Sequence, residues 1–428
     1  MFHAVATFFA RVVFVFVFVA GSAIGAALAQ QPKGSLVIIG GGLRGDNAAV
    51  WERMVQLAGG KGTRIAVFAS ASATPDKVGK ALVERFNAYG AHAFFVPVAM
   101  RLAGTDYQAA ADDPTLAAAV RSAGGAFFAG GDQGRITRAL RRRDGSNTRM
   151  LDALWDMYRR GGLVAGTSAG AAIMSSTMFG HPKSVLATLK LGLDDGKEIA
   201  PGLGFIGDDV FIDQHLLVRG RFARMVPAML LKGYKIGLGI DENTAMVVGP
   251  TREVEVIGYR GALLVDLSKA TAQDGPLNVS NVRLSYLDNG DRFNLVTHAF
   301  TPSADKIDNK VDPTTPYYRE PLFSADILGN STVVDLMTRL IDSDQPEAIG
   351  LSLDSPHAAQ PDLGFEFKLT KTRDSVGYMS SLTEAYSVYN LRLDIRPIEV
   401  TRPLYRYRQI DAVAEVPGAS GSAVAAAR

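Results

Sequence analysis

The chain has 428 residues, with 45 Lys and Arg against 43 Asp and Glu, and no cysteine. Near-balanced charge implies neither a nucleic-acid partner nor a polybasic membrane surface. The lack of cysteine excludes thiol nucleophiles, thiolate metal sites and disulfides, so stability must come from a core, which a chain this long can build as one large domain or two ordinary ones.

In chain order, Arg11 precedes an apolar run from Val12 to Ala20, and Ala27-Leu28-Ala29 closes it with a small-x-small pattern. Residues 1–29 therefore read as an export signal cut after Ala29. No later stretch is long and apolar enough to span a bilayer. From Ser35 to about Asp241, short apolar runs alternate with longer amphipathic ones. Strands are expected at 36–39, 64–68, 93–96, 126–128 and 163–165, and helices at 50–57, 75–89, 114–122 and 149–160. Near-continuous apolar strands between helices imply a mostly parallel sheet covered on both faces, a three-layer α/β/α sandwich. Beyond Gly249 the runs shorten and become β-prone, with helical periodicity only around 331–341. A catalytic-type α/β domain is expected over 30–275, a β-rich or mixed domain over 276–412, and a disordered Ala/Gly/Ser-rich tail over 413–428.

Gly-rich segments follow three of the strands, and ligands of such sheets bind at strand carboxyl ends. Gly40-Gly41-Gly42 lacks dinucleotide spacing and reads as a loop needing close backbone approach. Gly130-Gly131-Asp132-Gln133 follows the fourth strand. Gly166-Thr167-Ser168-Ala169-Gly170-Ala171 follows the fifth and sets a serine on a sharp turn from strand to helix. The alternative for that last run is a plain small-residue turn. A serine hydroxyl needs a base, and the base needs an orienting group. Of six histidines, His215 ends the apolar run Phe211-Ile212-Asp213-Gln214-His215, where a sheet-edge site would lie. Asp241-Glu242 ends a second apolar run, and either carboxylate suits the third role.

The four motifs Gly-Gly-Asp-Gln at 130–133, Gly-Thr-Ser-Ala-Gly-Ala at 166–171, Asp-Gln-His at 213–215 and Gly-Ile-Asp-Glu-Asn-Thr-Ala at 239–245 together resemble the cyanophycinase family in order and spacing. These are serine exopeptidases of the peptidase E-like group with a class I glutamine amidotransferase-like fold, and the resemblance covers about Ser35 to Val265. It implies a Ser168–His215–Glu242 triad. It implies an oxyanion hole from Ala169 and an amide of the Gly130–Asp132 turn, that of Gly131 or Asp132. It also implies substrate contacts at Gln133, Asp213, Gln214, Arg219, Arg221 and Arg224. The implied substrate is the cyanophycin polymer, a poly-aspartate backbone with arginine on each β-carboxyl, cut to β-aspartyl-arginine dipeptides. No cofactor, metal, nucleic acid or lasting membrane insertion is implied, and a homodimer is compatible with the sequence. The family's best-known members act inside the cell, so the export signal and the C-terminal extension depart from the pattern.

Three rivals make different demands. A related exported peptidase would cleave other aspartyl or β-aspartyl peptides. An α/β-hydrolase esterase would pair Ser168 with His298. A non-catalytic polymer-binding protein would keep the fold without turnover. Arg141-Arg142-Arg143 lies in a polar connection and reads as a solvated cluster. With an ordinary imidazole pKa, a histidine base would fail below about pH 6.

Overall fold

Short runs such as Leu36-Val37-Ile38-Ile39 are apolar at every position, so a strand made from one must be covered on both sides. In the computed structural model, which describes residues 32–406, these runs form β1 (Ser35–Ile39), β2 (Arg64–Phe68), β3 (His92–Val96), β4 (Gly125–Phe128) and β5 (Leu163–Thr167). They lie parallel in the order β1-β5-β4-β2-β3. Strand alternation then decides the layers. Leu36, Ile38, Ala66, Phe68 and Phe128 face the helices Pro114–Arg121 and Arg149–Arg159, packing on Val120, Leu151 and Leu154. Val37, Ile39, Ile65, Val67 and Phe127 face Trp51 and Met54 of helix Ala48–Leu57 and Phe86 of helix Pro75–Ala88. This is the expected α/β/α sandwich.

Beyond β1, strands Thr244–Val248, Glu253–Gly258, Arg292–Asn294 and Phe300–Thr301 extend the sheet antiparallel to nine strands. The strands leading to His215 and Glu242 belong to a second sheet. Val210–Gln214 and Ile236–Ile240 pair parallel at its edge, and Ala262–Asp266 follows antiparallel. Next come Asn278–Leu287, Tyr386–Glu399, Leu363–Thr370, Glu347–Ser352 and Leu322–Ser324.

The boundary expected at 275/276 therefore does not separate two sheets. Leu264 pairs with Leu238 on one side and Ser285 on the other. One core joins Phe211, Phe222 and Leu263 to Phe365, Phe367 and Leu391. The reason is physical: an unpaired edge at Ala262–Asp266 would expose backbone donors and acceptors, and the C-terminal strands satisfy them. The segment is β-rich as its texture suggested, with the helix Thr332–Ile341 packed against it. No helix among the described residues is long and apolar enough to cross a membrane. The expected export signal lies outside the described residues, and so does the expected tail.

Candidate active site

The two sheets meet at the loop after β1. The amide of Ser168 donates to the carbonyl of Ile39 at 3.0 Å, that of His215 to Gly40 at 2.8 Å, and that of Asn243 to Gly41 at 2.8 Å. Three segments far apart in sequence are thus pinned to one short stretch of backbone. Ser168 itself sits at φ 54°, ψ −111°, a conformation that a side-chain-bearing residue adopts only when its surroundings enforce it. The helix that follows is a single turn, Ala169–Ala172. It lies so close to β4 that a Cβ on Gly170 would come within 2.2 Å of the Phe128 carbonyl oxygen, which is why the run must be small.

Ser168 Oγ lies 2.7 Å from His215 Nε2, and His215 Nδ1 lies 2.5 Å from Glu242 Oε1. A carboxylate accepts, so Nδ1 carries the proton and Nε2 is left to accept from the serine hydroxyl. Burial pushes the imidazole below the ordinary histidine value. Glu242 opposes this, while Arg219 and Arg221 press the same way as burial. The arrangement is competent to draw a proton from Ser168 and hold it on the ring.

The neighbouring carboxylate does something else. Asp241 is buried; its Oδ1 accepts from the amides of Leu217 and Val218 at 3.1 Å, and its Oδ2 accepts from Arg260 at 2.9 Å. Arg260 also donates to Asn330 Oδ1 at 3.2 Å, and the amide of Ser331 donates to Leu217 at 3.3 Å. The C-terminal extension thereby braces the loop that follows His215.

A cleft of about 420 Å³ opens beside Ser168 and His215, lined also by Gly131, Gln133, Gln214, Arg219, Arg221 and Arg224. The carboxamide of Gln133 donates to the Phe179 carbonyl at 2.6 Å. Arg221 donates to Gln214 through both its carbonyl, at 2.9 Å, and its side chain, at 3.2 Å. Burial, with Arg224 and Arg219 close by, pulls the Arg221 guanidinium down to about 10. Arg219 is exposed and reaches within 3.9 Å of Glu242.

Two expected residues fall elsewhere. The Asp132 amide donates to the Ala71 carbonyl at 3.0 Å, so it is already committed, and the Asp132 side chain caps the helix Gln133–Leu140 by accepting from Gly134 at 2.8 Å. Of the Gly131–Asp132 turn, only Gly131 borders the cleft. Asp213 lies behind Arg224: Nε and Nη2 of Arg224 hold its two oxygens at 2.7 and 2.8 Å, and both side chains are buried. Asp213 is thus the inner half of an ion pair rather than part of the cleft wall.

Sequence reasoning missed three contributors. Phe179 lies under Arg224, whose guanidinium carbon is 4.0 Å from the ring centre. Pro182 lines the cleft, and neither residue has a local signal. Asn243 takes φ 54° and accepts from Asn47 and from the Arg44 amide at 3.0 Å, fixing the turn after Glu242. An Asn after the carboxylates was the available signal, because Asn tolerates that conformation. His298 is exposed, and Ser168 bonds to His215 instead.

No protein-family model matches the chain. A cyanophycinase of Geminocystis herdmanii (strain PCC 6308) is 32% identical over 282 residues, covering 63% of this chain and 96% of that protein. A cyanophycinase of Thermosynechococcus vestitus (strain NIES-2133 / IAM M-273 / BP-1) is 31% identical over 277 residues, covering 62% of this chain and 80% of its own length. Among solved structures, a peptidase from an acI-B1 Actinobacterium aligns with a TM-score of 0.45 at 20% identity, over 62% of this chain and 98% of that one.

Proposed function

The chain belongs to the cyanophycinase family and is a peptidase, and from that premise we propose that it is an exported enzyme cutting the poly-aspartate backbone of cyanophycin into β-aspartyl-arginine dipeptides. The observation that carries the mechanism is the His215 ring held between Ser168 Oγ and Glu242 at the floor of an arginine-lined cleft.

Ser168 attacks the scissile carbonyl while His215 takes its proton. Glu242 stabilises the resulting imidazolium. The tetrahedral oxyanion is met by the amides of Gly131 and Ala169; one such donor supplies about 3 kcal/mol of transition-state stabilisation. The imidazolium then gives its proton to the leaving amine, and water releases the acyl group by the reverse roles. Arg219 and Arg221 take substrate carboxylates in bidentate fashion. Gln133 and Gln214 offer polar contacts along the same wall.

The reading requires that insoluble polymer be dissolved faster than short aspartyl peptides are turned over. Polymer turbidity that stays constant while such peptides are consumed would favour the related peptidase. Export requires that protein recovered outside the cytoplasm begin at Gln30, which N-terminal sequencing reads directly.

The pH profile carries a sign. His215 must be neutral to act, and its pKa is lowered, so kcat/KM should hold as pH falls through the ordinary histidine range. Its acid limb should lie at lower pH than that of an unperturbed ring, whose pKa is about 6.5. An acid limb centred at or above pH 6.5 would contradict this.

Gly41 supplies a further test. At φ +122°, a Cβ there would lie 2.1 Å from His215 Cε1. Gly41→Ala should displace the ring and reduce kcat by about 10²-fold or more, with the far-ultraviolet dichroism unchanged. Wild-type kcat in that variant would show that the loop does not frame the histidine.

A further inference from the structure

The carboxamide of Gln133 donates to Phe179 at 2.6 Å and reaches the Gly180 carbonyl at 3.4 Å. It ties the turn at 131–134 to the segment at 178–182 and forms a partition. On one side Gly131, Gln133, Phe179 and Pro182 face the cleft of Ser168. On the other, Asp132, Gly134, Gly180 and His181 line a second cleft of about 620 Å³. The two clefts are neighbours built on different residues of the same two segments.

The remaining wall of the second cleft is basic. Arg138, Arg141, Arg142, Arg143 and Lys197 line it, against a single lining carboxylate, Asp132. Protein partners absorb only part of this charge. Arg142 is held by Asp112 at 2.6 Å. Among the described residues Arg141 reaches only a carbonyl, that of Gly202, at 3.4 Å. Arg138 stands 3.7 Å from Asp132, a carboxylate already capping a helix. Lys197 stands 3.9 Å from Glu198, whose oxygen is bonded more closely to Lys183 at 2.7 Å. Arg143 is exposed and enters no ion pair among the described residues. A solvated face normally mixes its signs; a concave wall of one sign concentrates the field and draws anions into it.

We propose that this second cleft is a carboxylate-binding subsite that holds the uncleaved part of the polymer beside the catalytic cleft. The inference rests on the polymer being the substrate. Arginine joined through its amine to a β-carboxyl keeps its own carboxylate free, so each repeat presents one anion at a regular interval. A catalytic cleft of about 420 Å³ has the volume for a small ligand, so a longer chain continues beyond it, past Gln133 and onto the basic wall. Arginine forks take the carboxylates there, and occupancy raises the local concentration of the scissile end at Ser168.

The experiment compares the wild type with Arg143→Glu/Lys197→Glu, two exposed positions away from Ser168, on long polymer and on an oligomer of two repeats. The expected result is a polymer KM raised about 10-fold, with kcat/KM for the two-repeat oligomer within about twofold of wild type. Added salt should raise the polymer KM of the wild type more than that of the variant. An unchanged polymer KM overturns the subsite. So does a parallel loss on the oligomer, which would place the effect in the catalytic cleft. A wild type that turns over the oligomer but leaves the polymer intact would overturn the polymer reading itself, and the subsite with it.

Discussion

Ser168→Ala is expected to lower polymer hydrolysis by about 10⁵- to 10⁶-fold while leaving folding and polymer binding intact. The size follows from the chemistry: without Oγ there is no acyl acceptor, and what remains is the stabilisation offered by backbone amides and bound substrate. The specificity follows from the geometry. Among the described residues the one side-chain hydrogen bond of Ser168 is to His215 at 2.7 Å, so truncation unpairs an imidazole nitrogen that faces the cleft. The backbone at φ 54° treats alanine no worse than serine. Product release, co-sedimentation with polymer particles and a thermal melt read the three quantities separately. A variant retaining a hundredth of wild-type turnover would remove Ser168 from the chemistry.

Arg224→Ala should be the most destabilising change in the site. Arg224 and Asp213 have side chains only 5% and 2% exposed and meet through two short hydrogen bonds. Removing the guanidinium strands a buried carboxylate, which costs about 3–5 kcal/mol. It also removes the cation over the Phe179 ring. The Tm should fall by about 4–6 °C. Adding Asp213→Leu to Arg224→Met should recover much of that loss, because the pair is then replaced by apolar groups of similar volume. A single variant melting within about 2 °C of wild type would show that Arg224 serves the substrate and not the strand beneath it. Arg219 and Arg221 stand in contrast, since neither has a buried carboxylate as its fixed partner.

The parallel sheet was legible because each strand is a short, largely apolar run bounded by Gly or a polar break. Both faces of such a run need cover, and the intervening amphipathic stretches supply it. Ser168 was legible because only small residues permit strand and helix to approach as Gly170 and Phe128 do. Asp241 and Glu242 could not be told apart, since adjacent carboxylates differ only in the direction they leave the chain. One meets amides and Arg260; the other meets His215. Asp132 looked like an amide donor because its commitment to Ala71 depends on a loop about sixty residues away. Asp213 was implied as a substrate contact by the family resemblance, which carries no record of its partner. The arginine that neutralises it arrives on the next helix. The two-domain expectation rested on a real change in texture near Gly249, but sheet continuity across Ala262–Asp266 is a long-range pairing that no local pattern records.

Incubating the purified protein with purified cyanophycin, beside Ser168→Ala, and identifying the soluble products by mass spectrometry tests the central claim most directly. The account predicts β-aspartyl-arginine dipeptides from the wild type alone. Equal release by Ser168→Ala, or intact polymer alongside turnover of short aspartyl peptides, would contradict it.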